Sequence, residues 1–143
     1  MSIAHESNLF NLIKETEEKM KVLIVEDSIF VQKLLTKLIV DHIPACEIQI
    51  ANNGEQGYNL FKEFQPDFIT TDLLMPGLNG QEMLRMIRET DNNVKIIILS
   101  ADIQKTTRDE VEMLGISGFL NKPLTAEKAT TMIQLIQAAY HAE

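Results

Sequence analysis

The stretch KVLIVEDSIFVQKLLTKL, residues 21–38, decides the fold class. Its four consecutive apolar residues, Val22 to Val25, suit a strand whose sheet is covered on both faces. Two acids, Glu26 and Asp27, end that run. Beyond them Val31, Leu34, Leu35 and Leu38 fall at i, i+3, i+4 and i+7, which predicts a helix carrying this set on its inner face. A strand feeding directly into an amphipathic helix is one unit of a parallel α/β layer.

The unit recurs along the chain. Short β-rich runs lie at Glu47 to Ala51, Asp67 to Thr71, Val94 to Leu99 and Gly118 to Leu120. Helical spacing returns in Gly57, Leu60, Phe61 and Phe64, in Gly80, Met83, Leu84 and Ile87, and in Ala129, Met132, Ile133 and Ile136. Asp102 to Leu114 is the poor member. Thr106 and Thr107 are weak helix formers, and only Ile103, Val111 and Leu114 carry a stripe, so a weak, mobile helix is expected there. Glu47, Ile48, Gln49 and Ile50 alternate in polarity, as an edge strand with one wetter face does. Right-handed crossovers and that edge predict a flavodoxin-like (βα)5 doubly wound parallel sheet of strand order 2-1-3-4-5. Leu9, Leu12, Ile13 and Thr16 share one helical face, so residues 1–20 are expected to form an extra N-terminal helix ahead of a single domain over residues 21–143.

Composition narrows the function. The 143 residues, 45% hydrophobic and 24% charged, fit one domain. A chain of this size buries roughly 68–70% of its unfolded surface and needs no staples. Thirteen Lys and Arg against 21 Asp and Glu give a net charge of -8, the wrong sign for neutralising a phosphate backbone, which argues against direct DNA binding. The lone Cys46 can form no internal disulfide, and no zinc spacing is present. No apolar run reaches the ~20 residues that span a bilayer, and acidic Glu6 precedes the short N-terminal apolar stretch. The expectation is a cytoplasmic protein without membrane insertion.

In the expected strand order, ligands sit beyond the carboxyl ends of the first and third strands. Glu26 and Asp27 end the first strand and Asp72 ends the third, so three carboxylates should converge. Such a cluster is relieved by a bound cation, and an all-oxygen donor set suits Mg²⁺. Ser100 ends the fourth strand, and Lys122-Pro123 follows the fifth on the same edge. A hydroxyl and an ammonium beside a metal-bound carboxylate can hold phosphoryl oxygens, which points to phosphoryl transfer to Asp72. Taken singly, each of these residues reads equally as a strand-end hydroxyl, a surface lysine or a solvated turn acid.

With VLIVEDS at 22–28, TTDLLMPGLNG at 70–80, LSA at 99–101 and GFLNKPL at 118–124, the sequence resembles the response-regulator receiver domain, the CheY-like family, over residues 21–140. The resemblance implies that Asp72 is the phosphoacceptor. It implies that Asp27, Asp72 and the Leu74 backbone carbonyl bind Mg²⁺, with Glu26 assisting through water, and that Ser100 and Lys122 contact the phosphoryl oxygens. Phe119 would be the switch aromatic moving in concert with Ser100, in place of a common tyrosine; a plain core aromatic is the other reading. Leu74 and Asp102 occupy the positions that tune dephosphorylation, and Lys122-Pro123 corresponds to a cis peptide bond. Pro76 and Gly77 suit a turn, and Gly80 lets the next helix start close to the sheet.

The resemblance further implies a histidine kinase or histidine-phosphotransfer partner near Ile29 and Phe30. An output protein would bind the fourth helix, fifth strand and fifth helix, where Leu135 and Ala139 are expected to form a small apolar patch, and a phosphatase is a further partner. The expected protein is a stand-alone response regulator that catalyses its own phosphorylation and dephosphorylation rather than an enzyme acting on other substrates, with chemotaxis or motility as its pathway. A phosphate sink or phosphorelay shuttle is the alternative, and an unphosphorylated scaffold a weaker one, since a scaffold needs none of the site residues. A flavodoxin-type cofactor binder is disfavoured because Glu26 and Asp27 would repel its phosphate, and a haloacid-dehalogenase-type phosphatase because Leu74 stands where that chemistry needs an acid.

Overall fold

The computed structural model describes residues 19–102 and 104–141. Five strand–helix units follow one another: β1 (Met20–Val25), α1 (Ile29–His42), β2 (Cys46–Ala51), α2 (Gly54–Phe64), β3 (Phe68–Thr71), α3 (Gly80–Thr90), β4 (Lys95–Ser100), α4 (Lys105–Met113), β5 (Gly118–Asn121) and α5 (Ala126–His141). The strands form one parallel sheet in the order β2-β1-β3-β4-β5, the expected flavodoxin-like arrangement. Register sets the ends of β1 and β3 level, with Val25 opposite Thr71.

Alternation along the central strands divides the core in two. Leu23, Val25, Ile69, Ile96 and Ile98 point to one face and pack with Phe61, Phe64, Met83, Leu84, Ile87 and Val111. Val22, Ile24, Phe68, Ile97 and Leu99 point to the other and meet Leu35, Ile39, Met132, Ile133 and Ile136. Thus α1 and α5 cover one face, and α2, α3 and α4 cover the other.

Side-chain oxygens of Ser28, Asn53 and Asn79 cap α1, α2 and α3, accepting from the N–H groups of Val31, Gln56 and Glu82. Two glycines permit close backbone contact. A Cβ on Gly80 would lie 2.1 Å from the Asp72 carbonyl oxygen, and one on Gly54 would lie 2.1 Å from that of Leu78. The first keeps α3 tight against the end of β3, as the sequence suggested.

Three sequence expectations shift. The buried line of α1 is Gln32, Leu35 and Ile39, whereas Leu34 is 39% exposed and Val31 and Leu38 are only half-buried. The helix is rotated because Gln32, polar and therefore left out of the apolar stripe, turns inward to find hydrogen bonds. Leu135 and Ala139 do not form an open patch, since both are half-buried against the α1–α5 core. The fourth helix is also shorter than the stretch Asp102 to Leu114, covering nine residues with Thr107 and Val111 buried and no side-chain cap from Gln104. The expected N-terminal helix falls on residues 1–18, outside the described residues, while Met20 is already the first residue of β1.

Candidate functional site

The β1–α1 loop is built to present acids. Glu26 is 1% exposed, and its carboxylate accepts the Ser28 N–H at 3.1 Å. Asp27 follows and faces solvent. Asp72, 5% exposed, lies just past the end of β3, where its N–H donates to the Val25 carbonyl at 3.1 Å. One carboxylate oxygen from each of the three lies within 4.8 Å of the others.

Lys122 reaches the same point from the end of β5. Its Nζ donates to Glu26 Oε1 at 2.7 Å and to Asp72 Oδ2 at 2.8 Å. The peptide bond to Pro123 is cis, as the resemblance implied. The other Asp72 oxygen, Oδ1, accepts the Leu73 and Leu74 N–H groups at 2.7 and 3.0 Å, so the carboxylate is gripped at both ends. Burial is the main force raising the pKa of Glu26, and Lys122 and the Ser28 amide oppose it only in part. Burial works against the Lys122 ammonium too, yet its bonds to Asp72 and Glu26 outweigh that and raise its pKa. Three carboxyl groups face one ammonium, and every donor atom they offer is oxygen. That donor set fits a divalent cation such as Mg²⁺.

Ser100 closes the same edge. It is 0% exposed, its Oγ accepts the Asp102 N–H at 3.2 Å, and its carbonyl accepts the Lys122 N–H at 2.9 Å. The Asp102 carboxylate accepts the Gln104 N–H at 2.9 Å, and Leu74 is 53% exposed. Together Leu74 and Asp102 line a shallow cavity of about 460 Å³, with Leu73, Met75, Pro76, Asn79 and Gln81. Phe119 on β5 is half-buried against the core under α2, α3 and α4, with the Arg108 guanidinium 5.2 Å from its ring centre. Ile29 and Phe30 are both exposed on the first turn of α1.

Glu26, Asp27, Asp72 and Lys122 therefore meet directly, and Ser100 joins them through the backbone. Sequence reasoning missed Gln32, whose Nε2 donates to the Glu26 carbonyl at 2.6 Å. A glutamine at helical spacing with Leu35 and Ile39 was the available signal, hidden by an apolar stripe drawn one position away. It also missed Arg88, whose guanidinium donates to the carbonyls of Leu114, Asp91 and Gly115 and so ties the end of α3 to the α4–β5 loop. No helix among the described residues is long and apolar enough to cross a membrane.

Comparison with known proteins accords with this geometry. Chemotaxis protein CheY of Thermotoga maritima is 31% identical over 118 residues, 81% of this chain and 96% of that protein. A protein-glutamate methylesterase/protein-glutamine glutaminase of Clostridium acetobutylicum is 32% identical over 129 residues, 86% of this chain but 37% of that protein. This chain thus spans about a third of the length of such methylesterase relatives. A CheX-CheY-BeF3-Mg²⁺ complex from Borrelia burgdorferi contains a similar fold, with 28% identity and a TM-score of 0.74 over 85% of this chain and 89% of that one. The response regulator receiver domain family matches residues 22–134, a span holding all three acids, the strand-end hydroxyl and the lysine, and the chain belongs to that family.

Proposed function

We propose that this receiver domain accepts a phosphoryl group on Asp72 with Mg²⁺ and signals by phosphorylation-dependent protein contact. The observation that carries the reading is the Asp72 carboxylate itself, buried, held by two amides and an ammonium, and within reach of two further acids. An Asp72 oxygen attacks the phosphorus of a phosphohistidine donor. The P–N bond breaks as the new P–O bond forms, and the donor imidazole leaves carrying its electron pair.

Mg²⁺, held by Asp27, Asp72 and the Leu74 carbonyl with Glu26 nearby, would neutralise charge on the transferring group. Lys122 and Ser100 supply an ammonium and a hydroxyl to its oxygens. Leu74 and Asp102, on the cavity wall, control access of the hydrolytic water and so the lifetime of the acyl phosphate. Ser100 and Phe119 relay the change to α4, β5 and α5, the output face. Exposed Ile29 and Phe30 suit docking of the kinase or phosphotransfer helix, and the open cavity lined by Leu73, Leu74 and Asp102 gives a phosphatase an approach. Similarity to CheY proteins supports chemotaxis or motility as the pathway.

Intact-protein mass after incubation with Mg²⁺ and a small acyl phosphate tests the reading. The wild type should gain one labile phosphoryl group and Asp72→Asn none. No gain with either the acyl phosphate or a phosphorylated histidine donor would overturn it.

A further inference from the structure

Gln32 is buried on α1, between the sheet and the acidic loop. Its Nε2 donates to the Glu26 carbonyl at 2.6 Å and to Asn52 Oδ1 at 2.7 Å, so both amide hydrogens are committed. The first bond grips the peptide plane joining Glu26 to Asp27. Rotating that plane changes ψ of Glu26 and φ of Asp27 together, and any uncompensated change in the two re-aims the Asp27 side chain relative to that of Glu26. Asp27 is exposed, so its aim depends on this backbone rather than on surrounding packing.

The second bond continues the brace. Asn52 follows β2, and its own N–H donates to Gln56 Oε1 on α2 at 2.9 Å. Two elements that supply no site residue therefore hold the acidic loop from behind. A leucine or methionine at position 32 would match Leu35 and Ile39 without any cost of burying an amide. The bonds account for the glutamine.

We propose that Gln32 is a positioning residue for the divalent-cation site, acting through the Glu26 carbonyl and itself steered by Asn52. This rests on the reading of Glu26, Asp27 and Asp72 as that site. Groups that orient metal ligands typically change metal affinity about 10–100-fold when removed.

The test titrates Mg²⁺ by calorimetry into the wild type, Gln32→Met, Asn52→Ala and the double variant. Methionine keeps the length and apolar packing but donates nothing, and Asn52 is exposed, so its truncation spares the core. Gln32→Met should weaken Mg²⁺ binding about tenfold. Asn52→Ala should weaken it less, and the double variant no more than Gln32→Met, because both act on one path. Acyl-phosphate labelling of Gln32→Met should be slow at low Mg²⁺ and return to the wild-type rate at saturation, which general structural damage would not allow.

Unchanged Mg²⁺ affinity in a folded Gln32→Met overturns the assignment, and so does fully additive loss in the double variant. Should Gln32→Met not fold, unchanged affinity in Asn52→Ala overturns it. Absence of Mg²⁺ binding by the wild type overturns the cation-site reading itself, before any variant is compared.

Discussion

At the scale of single residues, the site is an arrangement of buried charge whose balance depends on one ammonium. Lys122 Nζ lies within 2.8 Å of carboxylate oxygens on both Glu26 and Asp72. Removing one partner of a buried ion pair commonly costs about 3–5 kcal/mol, and a lysine side chain still 21% exposed places Lys122→Ala below that range. Urea unfolding in Mg²⁺-free buffer should show a loss of about 2 kcal/mol, partly recovered when Mg²⁺ is added. An unchanged midpoint would show that these ion pairs add nothing to stability. Glu26, Asp27, Asp72 and Lys122 were legible in the sequence because each closely follows the end of a strand-forming run. Gln32 was not, because a polar side chain within a helix announces burial only once its partners at Glu26 and Asn52 are known.

Among the elements, α3 and α4 show how the fold fixes one end of a helix and leaves the other less constrained. At the start of α3, the missing Cβ of Gly80 admits the Asp72 carbonyl. Gly80→Ala forces backbone apart and should cost the upper end of the ~1–3 kcal/mol usual for overpacking, read as a lower thermal midpoint and weaker labelling of Asp72. At its other end Arg88 holds the carbonyls of Leu114 and Gly115, and along the helix from its first turn Gln81 and Arg85 bond Glu110. The C-terminal half of α4 is thereby tied to α3, and its N-terminus at Gln104 has no side-chain cap. Arg88→Ala should destabilise by about 1–3 kcal/mol and raise hydrogen exchange in residues 114–117, with little change in β1. Equal exchange across the sheet would refute the local anchor. Thr106, Thr107 and the sparse stripe of Ile103, Val111 and Leu114 gave the expectation of a weak helix but no sign of its tether, because Arg88 acts across 26 residues of sequence.

For the molecule as a whole, strand order does most of the assembly. Apolar runs and the alternating edge strand were enough to read the order 2-1-3-4-5, since a parallel layer has few right-handed solutions. What stayed hidden was rotation of an element about its own axis, as in α1, and the seating of Leu135 and Ala139 against the core, both settled by packing rather than pattern. Mg²⁺ should stabilise the folded chain by about 2.7 kcal/mol at a hundredfold excess over its dissociation constant. Thermal denaturation should register that gain in the wild type and lose it in an Asp27→Asn, Asp72→Asn double variant; a gain that survives would place the ion elsewhere. One consequence lies in where Lys122 comes from. The acids are complete by residue 72, but the ammonium arrives only with the last strand. A fragment that stops before β5 would hold all three acids without their counter-charge.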